Sequence, residues 1–111
     1  MVKGLPPHEV KGSEEFTAFY GSLDKNSEEY KRITVCIDAI KGNRQVGEKV
    51  QKDKFPKYYV RKYRITNLYR MEIGDCRLSY TLIADGLKKV ACILEYFPTH
   101  KEYSKRFGYK D

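Results

Sequence analysis

The sequence predicts an α+β fold: two N-terminal helices packed on one face of a three- to five-stranded antiparallel sheet, with a short C-terminal helix. Three observations predict it. Apolar residues fall at helical spacing early in the chain. From Leu68 onward they alternate as in half-buried strands. Two glycine-containing pairs, Gly74-Asp75 and Asp85-Gly86, sit where hairpins must turn.

Residues 1–12, with Gly4, Pro6 and Pro7, read as an arm or a short edge strand, and residues 13–111 as one domain. Ser13 followed by Glu14 and Glu15 opens a first helix, because a serine caps and acids suit the positive end of the helix dipole. Phe16, Phe19, Tyr20 and Leu23 form its apolar stripe. Asn26 with Glu29 predicts a capping box for a second helix, striped by Tyr30, Ile33, Ile37 and Ile40. Residues 42–56 are basic, broken by Gly42, Gly47 and Pro56, and read mostly as loop. Tyr58 to Ile65 is rich in strand formers and is expected to be a strand.

In the next strand Tyr69, Met71 and Ile73 face one way, and Leu68, Arg70 and Glu72 the other. After the turn, Leu78, Tyr80 and Leu82 oppose Arg77, Ser79 and Thr81. Leu87 to Phe97 is a long apolar strand ended by Pro98. Thr99 caps the last helix, with Glu102 three residues on. The sheet face opposite the helices is expected to stay open, carrying Arg70, Glu72, Arg77 and Ser79.

Apolar residues make up 41% of the chain, too many for a disordered composition. No apolar run approaches the roughly 20 residues of a membrane span, and the first residues lack a signal-peptide core, so an intracellular, cytoplasmic soluble protein is expected. Cys36, Cys76 and Cys92 are odd in number, widely spaced and set in apolar stretches. They read as small buried residues, and nothing calls for a metal or cofactor. No P-loop, dinucleotide fingerprint or Ser-His-Asp pattern is present. The net charge is +7, and residues 41–70 hold ten Lys or Arg against two Asp or Glu. Tyr58, Tyr59, Tyr63 and Tyr69 interleave with these cations, a mixture that suits RNA through phosphate contact and base stacking.

The run Asn67-Leu68-Tyr69-Arg70-Met71-Glu72-Ile73, then Cys76-Arg77-Leu78-Ser79-Tyr80, Ile93-Leu94 and His100-Lys101-Glu102-Tyr103, resembles the RelE/ParE toxin superfamily, its RelE branch in particular, over about residues 13–107. The resemblance implies the toxin of a type II toxin–antitoxin pair. Such a toxin enters the ribosomal A site and cleaves mRNA by attack of a ribose 2′-OH, and a cognate antitoxin blocks it. Arg77 matches the arginine that contacts the scissile phosphate, a task suited to a fixed, permanently charged fork. Tyr103 matches the C-terminal tyrosine that stacks or does acid–base work at the cleaved nucleotide. Arg70 matches a cation of the cleavage face, and Lys62 and Arg64 lie where further cations occur. With Lys54 and Lys57 these form the candidate RNA-docking set. Glu72 stands where the RelE branch has a second cation. It is either a general base or an ion-pair partner of Arg70 or Arg77. The cation expected after the last strand is replaced by Phe97-Pro98-Thr99, which leaves His100 to protonate the leaving oxygen. Two alternatives are a ParE-like inhibitor of DNA gyrase and an RNA-binding or inactive toxin homologue.

Overall fold

A computed structural model describes residues 9–42, 47–74, 76–86 and 88–108. Ser13 accepts the Phe16 amide and caps α1, Glu14–Ser22. Ser27, one residue later than the expected Asn26, accepts the Tyr30 amide and caps α2, Glu28–Lys41. Strand β1, Glu9–Gly12, precedes them; residues 1–8 of the expected arm lie outside the described residues. Then come the two-residue strand β2, Glu48–Lys49, a 3₁₀ turn at Lys52–Lys54 and helix α3, Lys57–Tyr63. Strands β3, Tyr69–Ile73, β4, Cys76–Asp85, and β5, Lys88–Phe97, form the hairpins, and α4, His100–Phe107, follows under the Thr99 cap. Gly74 and Gly86 take φ of +59° and +65° at the two turns, conformations that glycine adopts without a Cβ clash. Among the described residues no helix is long and apolar enough to cross a membrane.

The sheet order is β1-β5-β4-β3-β2. It is mixed, not antiparallel as expected, because β1 runs parallel to β5, Glu9 opposite Val90 through Gly12 opposite Ile93. The direction of this edge is fixed by where the chain must go next, not by its own residues. The Ser13 amide donates to the Ile93 carbonyl and its hydroxyl to Leu94, and the chain turns there into α1. Phe16, Ile33, Cys36 and Ile40 from the two helices pack with Leu78, Tyr80, Ala91, Ile93 and Tyr96 in one core. Cys36 and Cys76 are buried in it, as their apolar context indicates, whereas Cys92, expected to be buried too, is only partly so and packs on the other side of the sheet. Burial, and then the neighbouring Cys76, push the Cys36 thiol up to about 11.

The opposite face is not open. Val50, Tyr59, Leu68, Leu94, Phe97, Tyr103 and Phe107 form a second core there, roofed by α3 and α4. The segment expected as a strand at Tyr58–Ile65 supplies α3 instead. Tyr59 is fully buried, edge-on to Phe107, and Tyr58 and Tyr63 flank it on the same side of the helix. Burial of that aromatic side outweighs the modest β preference of Tyr and Val. A bulge aims β5 at this second core. Ser79 pairs with Glu95 but Tyr80 pairs with Ile93, so Leu94 is extra and both Leu94 and Glu95 turn toward α3 and α4.

Helix α3 ends at Arg64, which takes the left-handed conformation at φ 51° while its amide caps Val60. Glycine removes the Cβ clash there but loses more chain entropy on folding. Arg64→Gly is therefore expected to stabilise the chain by about 0.5–1 kcal/mol in a urea melt. No change, or a loss, would show that the arginine side chain offsets the strain.

Candidate functional site

Two cross-strand rows build the site on the second face. One runs Glu48, Arg70, Ser79, Glu95 across β2 to β5, and the next runs Glu72, Arg77, Phe97. Helix α4 lays Tyr103 over both. The Arg70 Nη1 donates to the Tyr103 hydroxyl at 3.1 Å, and the Arg70 and Arg77 guanidinium carbons lie 5.8 and 6.0 Å from its ring centroid. Tyr103 itself is buried, T-shaped on Phe97 and stacked on Phe107. Its hydroxyl therefore orients Arg70, and both guanidinium groups lie near its ring.

Each arginine already faces a carboxylate. Arg70 directs Nε and Nη2 at one oxygen of Glu48, at 3.2 and 2.8 Å. The Glu48 carboxylate, then the Tyr103 hydroxyl, push the Arg70 pKa further above its ordinary value. Arg77 is held from below: its Nη1 donates to the Gly74 and Cys76 carbonyls, both at 3.1 Å. Its side chain is only 12% exposed, with Nε 3.5 Å from Glu72. That distance is within ion-pair range, yet it lacks hydrogen-bond geometry, and Nε is buried without a hydrogen-bond partner. The Arg77 Nε is thus an unpaired donor that is shut off from solvent. Glu72 pairs with Arg77, one of the two roles open to it from sequence.

His100 is exposed in the first turn of α4, its Nδ1 3.4 Å from the Ser104 hydroxyl and its ring 6.2 Å from that of Tyr103. The candidate docking residues are distributed differently. Lys57 and Arg64 are exposed at the two ends of α3, and Lys54 is exposed in the 3₁₀ turn before it. Lys62 turns toward α1, where it pairs with Glu15 and contacts the Tyr58 hydroxyl. That contact draws Lys62 into the fold's own wiring. Lys62 first, then the residue's own amide and the Tyr58 and Tyr63 hydroxyls, hold Glu15 down at about 2 from 4.5. A depressed carboxylate pKa means stability that is fully present above 4.5 and lost as pH falls toward 2. Glu15→Gln is expected to flatten acid destabilisation in that window. An unchanged pH profile of the melting temperature would show that the pair contributes nothing.

Sequence reasoning missed a polar cluster beside the arginines. Tyr59 donates to Glu95 at 2.7 Å, so the buried Ser79 hydroxyl, 2.8 Å away, donates to Tyr59. Arg106 holds both Glu95 oxygens, at 3.0 and 3.1 Å, and its guanidinium lies 4.4 Å from the Tyr58 ring centroid. Burial, then the charge on Glu95, raise the Tyr59 pKa. A lone carboxylate in the apolar run Val90–Phe97 was the signal available for this cluster. A cleft of about 530 Å³ opens beyond it, lined by Glu95, Phe97, Pro98, Glu102, Lys105 and Arg106, with neither Arg70 nor Arg77 in its wall.

Two permanent cations, a carboxylate and an imidazole one helix turn from Tyr103 can bind a phosphodiester and move protons beside it. No family model matches this chain, and no curated protein or solved structure is significantly similar to it.

Proposed function

We propose that this chain is a RelE-like toxin, a ribosome-dependent endonuclease that cuts mRNA in the A site, with its antitoxin and the ribosome as partners. The supporting observation is the convergence of Arg70, Arg77, Glu72 and Tyr103 on one patch. These residues were picked out by a linear motif, and they come from three different elements. In this reading the ribose 2′-oxygen attacks the adjacent phosphorus and a 2′,3′-cyclic phosphate forms as the P–O5′ bond breaks. Glu72, released from its pair with Arg77 as the phosphate engages that guanidinium, takes the 2′-OH proton, and His100 returns a proton to the leaving 5′-oxygen. Arg77 neutralises the extra charge on the phosphorus oxygens as it develops, and Arg70 grips a non-bridging oxygen. Tyr103 acts through Arg70 as a positioning residue. The exposed Lys54, Lys57 and Arg64 add salt-sensitive attraction to the RNA backbone.

Primer extension on an mRNA in a translation reaction tests this. New 5′ ends within codons, present only with ribosomes, are the expected result. An intact message with arrested supercoiling would reassign the chain to gyrase inhibition. An intact message with retained ribosome binding would leave an inactive homologue.

A further inference from the structure

The least expected contact of the site is the carboxylate over Arg70. Glu48 belongs to a two-residue edge strand fixed by its pairing with Tyr69 and Arg70 and by the Val50 amide on the Leu68 carbonyl. Its side chain is 71% exposed, and Arg70 is the partner it reaches. Arg70 turns toward it the Nε and Nη2 pair, the edge that grips a phosphate oxygen most tightly. Nη1 is already committed to Tyr103. A phosphate therefore meets an Arg70 whose Nε–Nη2 edge is occupied by an internal anion, with one N–H left on each terminal nitrogen.

We infer that Glu48 is a gate on Arg70, an internal stand-in for phosphate that a bound phosphodiester displaces, and that it sets the affinity of the site for RNA. This rests on the reading of Arg70 as a phosphate contact. An ion pair this exposed is weak, so a polyanion held elsewhere on the protein can displace it while an isolated phosphate does so poorly. Arg77 is gated less, since Glu72 makes no hydrogen bond to its Nε. The site thus discriminates against short or non-specific anions and favours RNA that also engages the exposed cations of α3.

The test compares Glu48→Gln with Glu28→Gln, a charge-matched change at an exposed position that opens α2. The full chain is titrated with a labelled single-stranded RNA oligonucleotide over a range of salt. Glu48→Gln is expected to bind roughly two- to five-fold tighter than Glu28→Gln. Its plot of log K against log salt should keep nearly the same slope, because Arg70 neutralises one phosphate in both bound complexes and only the internal competitor is lost. Adding Arg70→Ala should erase the gain. Equal affinity in the two single variants would overturn the gate. If no form binds RNA, the proposed function falls, and the gate is decided by titrating inorganic phosphate against the Arg70 Nε–H resonance. Tighter phosphate binding in Glu48→Gln upholds it, and an unchanged midpoint overturns it.

Discussion

Arg77→Ala is expected to abolish ribosome-dependent mRNA cleavage while the chain still folds. The loss follows from geometry. The Gly74 and Cys76 carbonyls hold the Arg77 Nη1 and so fix a permanent charge beside Tyr103. Removing one preorganised donor from a charged transition state lowers kcat by roughly 10²- to 10³-fold. Arg77→Lys should recover only a fraction, because an ammonium cannot donate to the Gly74 and Cys76 carbonyls and keep a fork for the phosphate. The structural cost is smaller: the alanine variant loses two hydrogen bonds at a turn, the Glu72 pair and a place beside the Tyr103 ring, about 1–3 kcal/mol together. Cleavage should be measured as full-length message lost per minute on programmed ribosomes, beside the circular dichroism melt of each variant. Cleavage that persists in a folded Arg77→Ala protein would remove Arg77 from the chemistry and with it the proposed function.

Where local chemistry decided, the sequence was readable. Ser13 announced α1, because a serine before two acids and an apolar stripe has little else to do. The alternation in Tyr69–Ile73 and Cys76–Leu82 located β3 and β4 and put Arg70 and Arg77 on the same face. Where distant contacts decided, it was not. Tyr58-Tyr59-Val60 prefers a strand locally, and its helix exists because Tyr59 finds Phe107, Ser79 and Glu95 elsewhere in the chain. The second core was hidden for the same reason. Its members run from Val50 to Phe107 and share no period. Glu48 was hidden because a two-residue strand carries no pattern. The bulge at Leu94 broke the alternation that would have assigned Glu95 to a face.

Tyr59→Ala should be the most destabilising single change in the roof over the second face, by about 3–5 kcal/mol, the usual range for deleting a buried aromatic ring. Tyr59 is fully buried, touches Tyr58, Tyr63 and Phe107, and is the buried residue of α3. A seven-residue helix has no stability of its own, so α3 should detach when that anchor is lost. Tyr59→Phe isolates the hydroxyl. Glu95 keeps both bonds from Arg106, but the buried Ser79 hydroxyl is left with a 3.5 Å contact to the Glu95 carbonyl. One buried hydroxyl deprived of its partner costs about 1–2 kcal/mol. Urea denaturation separates the two. A small loss for Phe and a large one for Ala means that ring packing holds α3 down and the hydroxyl orders Ser79 and Glu95 beside Arg70. Equal losses would shift the anchor to the hydrogen bonds. A loss below 1 kcal/mol for Ala would mean that α3 stays seated without Tyr59, through the Lys62–Glu15 pair and the Arg106–Tyr58 stack.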